Sequence, residues 1–75
     1  MKIEEVKKIV MKNALRREVS AEDIADAEKC NQLTINQGRD GREYVWYLDE
    51  DGIESAADAE TGKEITNEKI EQLFA

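Results

Sequence analysis

Leu33-Thr34-Ile35-Asn36-Gln37, then Gly38-Arg39-Asp40-Gly41-Arg42, then Glu43-Tyr44-Val45-Trp46-Tyr47-Leu48 is the stretch that decides the fold. Side chains alternate with a period of two on either side of a glycine-containing interruption, which is the signature of two strands joined by a turn. Asp40-Gly41 supplies the positive φ that tight hairpin loops require. The stretch therefore predicts an antiparallel β-hairpin. The alternation assigns Tyr44, Trp46 and Leu48 to the core face and leaves Val45 and Tyr47 on the opposite face, partly exposed.

Downstream, Asp49-Glu50-Asp51-Gly52 is a second turn signal. Residues 53–59 then read as a weak strand at the sheet edge, before Glu60-Thr61-Gly62-Lys63 turns the chain again and Glu64-Ile65 pairs back briefly. Thr66 is placed to cap a closing helix with Ile70, Leu73 and Phe74 on one side. Upstream, Ile3, Val6, Ile9, Val10, Ala14 and Leu15 recur at helical spacing through residues 2–19. Ser20 with Asp23 resembles a capping box that opens a second short helix from Ala21 to about Lys29. Neither Gly nor Pro lies between the two, so one long bent helix from Lys2 to Lys29 stays open.

The expected architecture is α+β: a small single domain over residues 1–75, with N-terminal helices, a three-stranded antiparallel sheet and a C-terminal helix, in the order ααβββα. Its core is drawn from Ile3, Val6, Val10, Leu15, Ile24, Leu33, Ile35, Tyr44, Trp46, Leu48, Ile70, Leu73 and Phe74. With 75 residues and only sixteen Leu, Ile, Val and Phe, such a core is thin, and the fold is expected to be marginal or completed by a partner.

No apolar run approaches the ~20 residues of a membrane helix, so no membrane association is expected and the reading is cytoplasmic. The single cysteine, Cys30, cannot form an internal disulfide and is read as a half-buried small hydrophobe near a helix end. Histidine is absent from the sequence. That removes the commonest general base, the commonest zinc ligand and every His-activated nucleophile. The chain is read as a non-enzyme, with no catalytic residue, metal site or cofactor. An EF-hand register through Asp49-Glu50-Asp51-Gly52 fails, because position 1 is Tyr47 and position 12 is Asp58.

Charge is the most informative feature. The net charge is −7; residues 1–20 hold six basic and three acidic side chains, and the rest holds five and fifteen. Asp49, Glu50, Asp51, Glu54, Asp58 and Glu60 follow one another with no intervening base. Such a segment attracts basic surfaces with a salt-sensitive strength. It suits a protein that imitates a phosphate backbone and occupies the nucleic-acid-binding cleft of a partner, without binding nucleic acid itself. Alternatively, the basic first helix contacts nucleic acid or an acidic partner. A third reading is that both charged faces are merely solvated.

Asn31-Gln32-Leu33-Thr34-Ile35, Asp40-Gly41 and Glu43-Tyr44-Val45 resemble the central hairpin of the small acidic type II-A anti-CRISPR proteins, phage-encoded inhibitors of RNA-guided nucleases. The resemblance is confined to residues 31–45. It implies that the hairpin tip, matched at Asp40, Gly41 and Glu43, reaches toward a nuclease pocket, while acids after the hairpin replace the DNA element that the nuclease reads with arginines. Arg42 departs from the family's neutral residue at the tip. Asp49, Glu50 and Asp51 correspond to the mimicking acids by chemistry and chain order, not by spacing.

The expected function is a stoichiometric inhibitor that binds a basic nucleic-acid-handling protein through Asp40, Gly41, Glu43, Asp49, Glu50, Asp51, Glu54 and Asp58. Tyr47 serves either as an aromatic anchor or as a sheet-packing residue. The alternative is a structural or regulatory interaction module, homodimeric through the first helix.

Overall fold

In the computed structural model, which describes residues 1–74, the chain runs α1 (Ile3–Leu15), α2 (Ala21–Lys29), β1 (Leu33–Gln37), β2 (Glu43–Leu48), β3 (Glu54–Asp58), β4 (Glu64–Ile65) and α3 (Asn67–Phe74). The strands form one antiparallel sheet in sequence order, β1-β2-β3-β4. The α+β class is as the sequence indicates, with one strand more than the three expected.

The two N-terminal helices are separate. Arg16 at the end of α1 adopts a left-handed conformation, φ 56°, and its N–H donates to the Lys12 carbonyl. Ser20 and Asp23 then form a reciprocal capping box, at 3.1 Å and 2.9 Å, that starts α2. A Schellman motif ends α2: Asn31, φ 59°, occupies the left-handed position, while Gln32 N–H reaches the Ala27 carbonyl and Asn31 N–H the Glu28 carbonyl. Cys30 caps this end and is exposed, not half-buried.

The register sets the layers. Leu33 lies opposite Tyr47, Ile35 opposite Val45 and Ala57 opposite Val45, so the odd-numbered residues of β1, β2 and β3 share one face. Within β1–β3 that face meets α1 and α2: Val6, Val10, Met11, Val19, Ile24, Ala27, Leu33, Val45, Tyr47 and Ala57 form one buried cluster. The even-numbered face of β1–β3, which Ile65 of β4 joins opposite Ala56, carries Tyr44, Trp46 and Ala56 toward α3. There Phe74 stacks on Trp46, with ring centroids 5.1 Å apart, and meets Tyr44 edge-on at 5.8 Å. The sheet is thus enclosed on both faces.

This overturns the facial assignment drawn from alternation. Val45 is fully buried and Tyr47 nearly so, whereas Ile35, Leu48 and Ile53 are exposed. A strand covered on both sides needs apolar residues at every position, and Tyr44-Val45-Trp46-Tyr47-Leu48 is a continuous apolar run of that kind. Segment 53–59 is likewise not an edge. It contributes β3, which pairs with β2 on one side and β4 on the other. Ala56 and Ala57 are fully buried, because helices approaching from both sides leave no room for larger side chains. Thr66 does cap α3, its hydroxyl accepting from Lys69 N–H at 3.2 Å.

Candidate functional site: the β2–β3 turn

The nine residues nominated from sequence fall at two opposite ends of the sheet. Asp49, Glu50 and Asp51 lie in the β2–β3 turn, next to Glu54 at the start of β3 and to the Tyr47 hydroxyl. Asp40, Gly41, Glu43 and Asp58 gather at the other end, where the β1–β2 loop meets the end of β3 and Ala59 N–H donates to the Glu43 carbonyl. From Glu54 to Asp58 the strand spans roughly 13 Å, taking a rise of about 3.3 Å per residue. The run of acids is therefore not one continuous patch.

Most of these carboxylates are engaged within the fold. Asp49 Oδ1 accepts the N–H groups of Asp51 and Ile53, both at 3.0 Å, and Oδ2 accepts the Tyr47 hydroxyl at 3.2 Å. Gly52, φ 81°, completes this turn and donates to the Asp49 carbonyl. Glu54 accepts the Trp46 indole N–H at 2.8 Å. Asp40 accepts the Tyr44 hydroxyl at 2.5 Å and Arg42 N–H at 3.1 Å. The Tyr44 hydroxyl and, secondarily, Arg42 N–H hold the Asp40 carboxyl below its ordinary range, against some desolvation.

Asp58 is buried. Removal from water pushes its carboxyl up, yet Arg42 at 2.8 Å and the N–H groups of Glu60 and Thr61 outweigh this and hold it below the usual carboxylate value. Gly41, φ 84°, is a backbone requirement of the hairpin loop. Tyr47 is 4% exposed, with burial as the first cause raising its hydroxyl pKa, so its ring packs the core and is not offered as an anchor.

Glu43, Glu50 and Asp51 remain. All three are exposed, and their carboxylates have no hydrogen-bond or ion-pair partner among the described residues. Glu50 and Asp51 stand side by side on the turn that Asp49 pins. Beside them, Leu48 at 43% and Ile53 at 41% are the exposed large hydrophobics of this end. Alternation concealed Leu48 by placing it in the core, and the weak reading of residues 53–59 gave Ile53 no role. The available signal was position: each lies at a strand boundary, directly next to Asp49-Glu50-Asp51-Gly52, where the flanking layers end.

No family model, curated protein or solved structure matches the chain.

The basic first helix, with its flanking residues from 1 to 20, has three of six basic side chains in ion pairs. Lys7 pairs with Glu4 and Glu28 at 3.3 Å and 3.1 Å, Lys12 with Glu18 at 2.8 Å, and Arg17 with Asp23 at 3.1 Å. Its apolar side faces the sheet through Val6, Val10 and Met11. Among the described residues no three acidic or cysteine side chains are arranged to hold a metal ion, and no helix is long and apolar enough to cross a membrane. A wide groove of about 530 Å³ is lined by residues including Arg42, Tyr44, Asp58, Lys63 and Lys69.

Proposed function

We propose that this chain acts by binding a protein and not by catalysis, as a stoichiometric inhibitor that docks the β2–β3 turn on a basic, nucleic-acid-handling surface of its partner. One observation carries this reading: two adjacent carboxylates without internal partners, Glu50 and Asp51, stand on a turn held by Asp49 and flanked by exposed Leu48 and Ile53. A fixed pair of anionic groups competes for the lysines and arginines that otherwise meet phosphates, while the two aliphatic side chains add apolar contact that free phosphate lacks. Preorganisation matters because a turn already held in shape loses little entropy on docking. Glu43, at the far end, is a secondary contact. An RNA-guided nuclease is the specific partner implied by the hairpin resemblance, within a broader class of defence enzymes that handle nucleic acid.

The homodimer through the first helix is not favoured, since α1 displays no large exposed hydrophobic residue. Affinity capture from host lysate, eluted by rising salt, tests the proposal with a Glu43→Gln, Glu50→Gln, Asp51→Asn variant, whose side chains make no bond in the fold. Wild-type protein should retain a basic nucleic-acid-binding protein that salt releases, and the variant should not. Equal recovery by both would overturn charge mimicry.

A further inference from the structure

A sheet in sequence order has two outer edges, and in this protein they differ. The β4 edge is two residues long, includes Glu64 and follows Lys63, features that blunt an edge against further pairing. The β1 edge is five residues, Leu33–Gln37, with no charge and no proline. It lies inside Cys30–Gly38, the longest uncharged run of a chain in which 39% of residues are charged.

The ladder shows which backbone groups of β1 face outward. Leu48 N–H donates to the Gln32 carbonyl and Gly38 N–H to the Arg42 carbonyl. Hydrogen-bonded pairs alternate along an antiparallel ladder, so residues 32, 34, 36 and 38 turn their polar groups to β2. Leu33, Ile35 and Gln37 turn theirs away, and no backbone group among the described residues meets them there. The side chain at the centre of this row, Ile35, is 46% exposed, because α2 covers the Leu33 end of the strand and α1 sits over β2 and β3.

We infer that the β1 edge is a self-association surface, on which a second copy of this chain adds its own β1 antiparallel to make a continuous eight-stranded sheet. A two-fold axis at Ile35 aligns Leu33 with the second copy's Gln37 and Ile35 with the second copy's Ile35. Every outward-facing residue then meets another outward-facing residue, so donors and acceptors match along the full strand. The two exposed isoleucines stack across the axis on the helix face. On the other face, Thr34 lies opposite the second copy's Asn36, two polar side chains that already bond to each other within one strand, at 2.8 Å.

Register, not charge, selects a copy: about the two-fold axis each outward residue meets a matching one, isoleucine on isoleucine. Two chains of net charge −7 repel, and an uncharged strand lets them meet without setting one carboxylate against another. This inference stands apart from the proposed function, which uses the end of the sheet and not its edge. The two also respond oppositely to salt: screening weakens an acidic protein on a basic partner and strengthens a pair of like-charged copies.

Sedimentation equilibrium over a wide concentration range, with amide hydrogen exchange at each concentration, tests the inference. The expected result is a mass that doubles as concentration rises, more readily at high salt. The Ile35 and Gln37 amides should become protected in step with the dimer, while the Thr34 and Asn36 amides stay protected throughout. Ile35→Lys, at an exposed position, should stay folded by circular dichroism and monomeric, and Ile53→Lys should dimerise like wild type. A mass that stays monomeric at all concentrations would overturn the inference, even if an added strand peptide occupied the edge. So would an Ile35→Lys variant that dimerises normally, or Ile35 and Gln37 amides that remain unprotected in the dimer.

Discussion

Arg42 Nη1 donates to Asp58 Oδ2 at 2.8 Å, while the other oxygen of the same carboxylate accepts the N–H groups of Glu60 and Thr61 that turn the chain out of β3. The two partners are unequal. The Arg42 side chain is 62% exposed and that of Asp58 only 9%, so the ion pair is screened on one side while the turn bonds are sheltered. Asp58→Ala should lower stability by about 2 kcal/mol, since it leaves two turn N–H groups without their acceptor. Arg42→Ala should cost less. Chemical denaturation of both variants measures the difference.

The same carboxylate makes stability depend on acid. Its folded pKa lies below its unfolded one, so its contribution is complete above the unfolded value of about 4 and is lost as pH falls through the folded value. Asp23, held down mainly by Ser20 N–H and Arg17, acts in the same direction. Unfolding free energy measured from pH ~5 downward should fall, and Asp58→Asn should make that fall shallower. A variant with the wild-type slope would show that the carboxylate is not the titrating group.

Tyr44 reports the opposite end of the pH scale. Its hydrogen bond to Asp40, reinforced by burial, pushes the hydroxyl up to about 12. A raised folded pKa contributes stability that is complete below the unfolded value near 10 and lost as pH rises through the folded one. Ultraviolet titration of tyrosinate should show both tyrosines ionising late, and Asp40→Asn should bring Tyr44 back toward its ordinary value while leaving Tyr47 unchanged.

Ser55 sits on the helix face opposite Tyr47, and its buried hydroxyl has no hydrogen-bond partner among the described residues. A buried hydroxyl without a partner costs about 1–3 kcal/mol of desolvation. Ser55→Ala should therefore raise stability, by about 1 kcal/mol, visible as a higher denaturation midpoint with an unchanged slope. A lower midpoint would mean that the hydroxyl is satisfied in solution.

Local signals were legible in the sequence because their chemistry is local. Ser20 and Asp23 cap α2, Gly41 and Gly52 turn the first two of the three hairpins, and Thr66 starts α3, each through groups within four residues of it. What stayed hidden depends on distant packing. Ser55-Ala56-Ala57 has neither strand propensity nor alternation, and only the approach of helices from both sides makes small residues right for a central strand. The left-handed Arg16 and Asn31 carry no glycine to announce them. Among the nominated acids, composition could not separate Asp49 and Asp58, which organise turns, from Glu50 and Asp51, which face outward; only the direction of each carboxylate does that.

Enclosure of β2 on both faces gives the sharpest comparison. Alternation alone makes Leu48 a core residue and Val45 a surface one, whereas Val45 is fully buried between α1 and the sheet and Leu48 is 43% exposed beside the β2–β3 turn. Val45→Ala removes two buried methyl groups where neighbours on three elements cannot collapse freely, and it should cost about 2 kcal/mol. Leu48→Ala deletes more carbon but leaves no cavity, so its cost should stay under about 1 kcal/mol. Parallel denaturation of the two variants settles the order. If Leu48→Ala proved the more damaging, the even-numbered face would be the principal core, and α3, not α1, would be the helix on which the sheet folds.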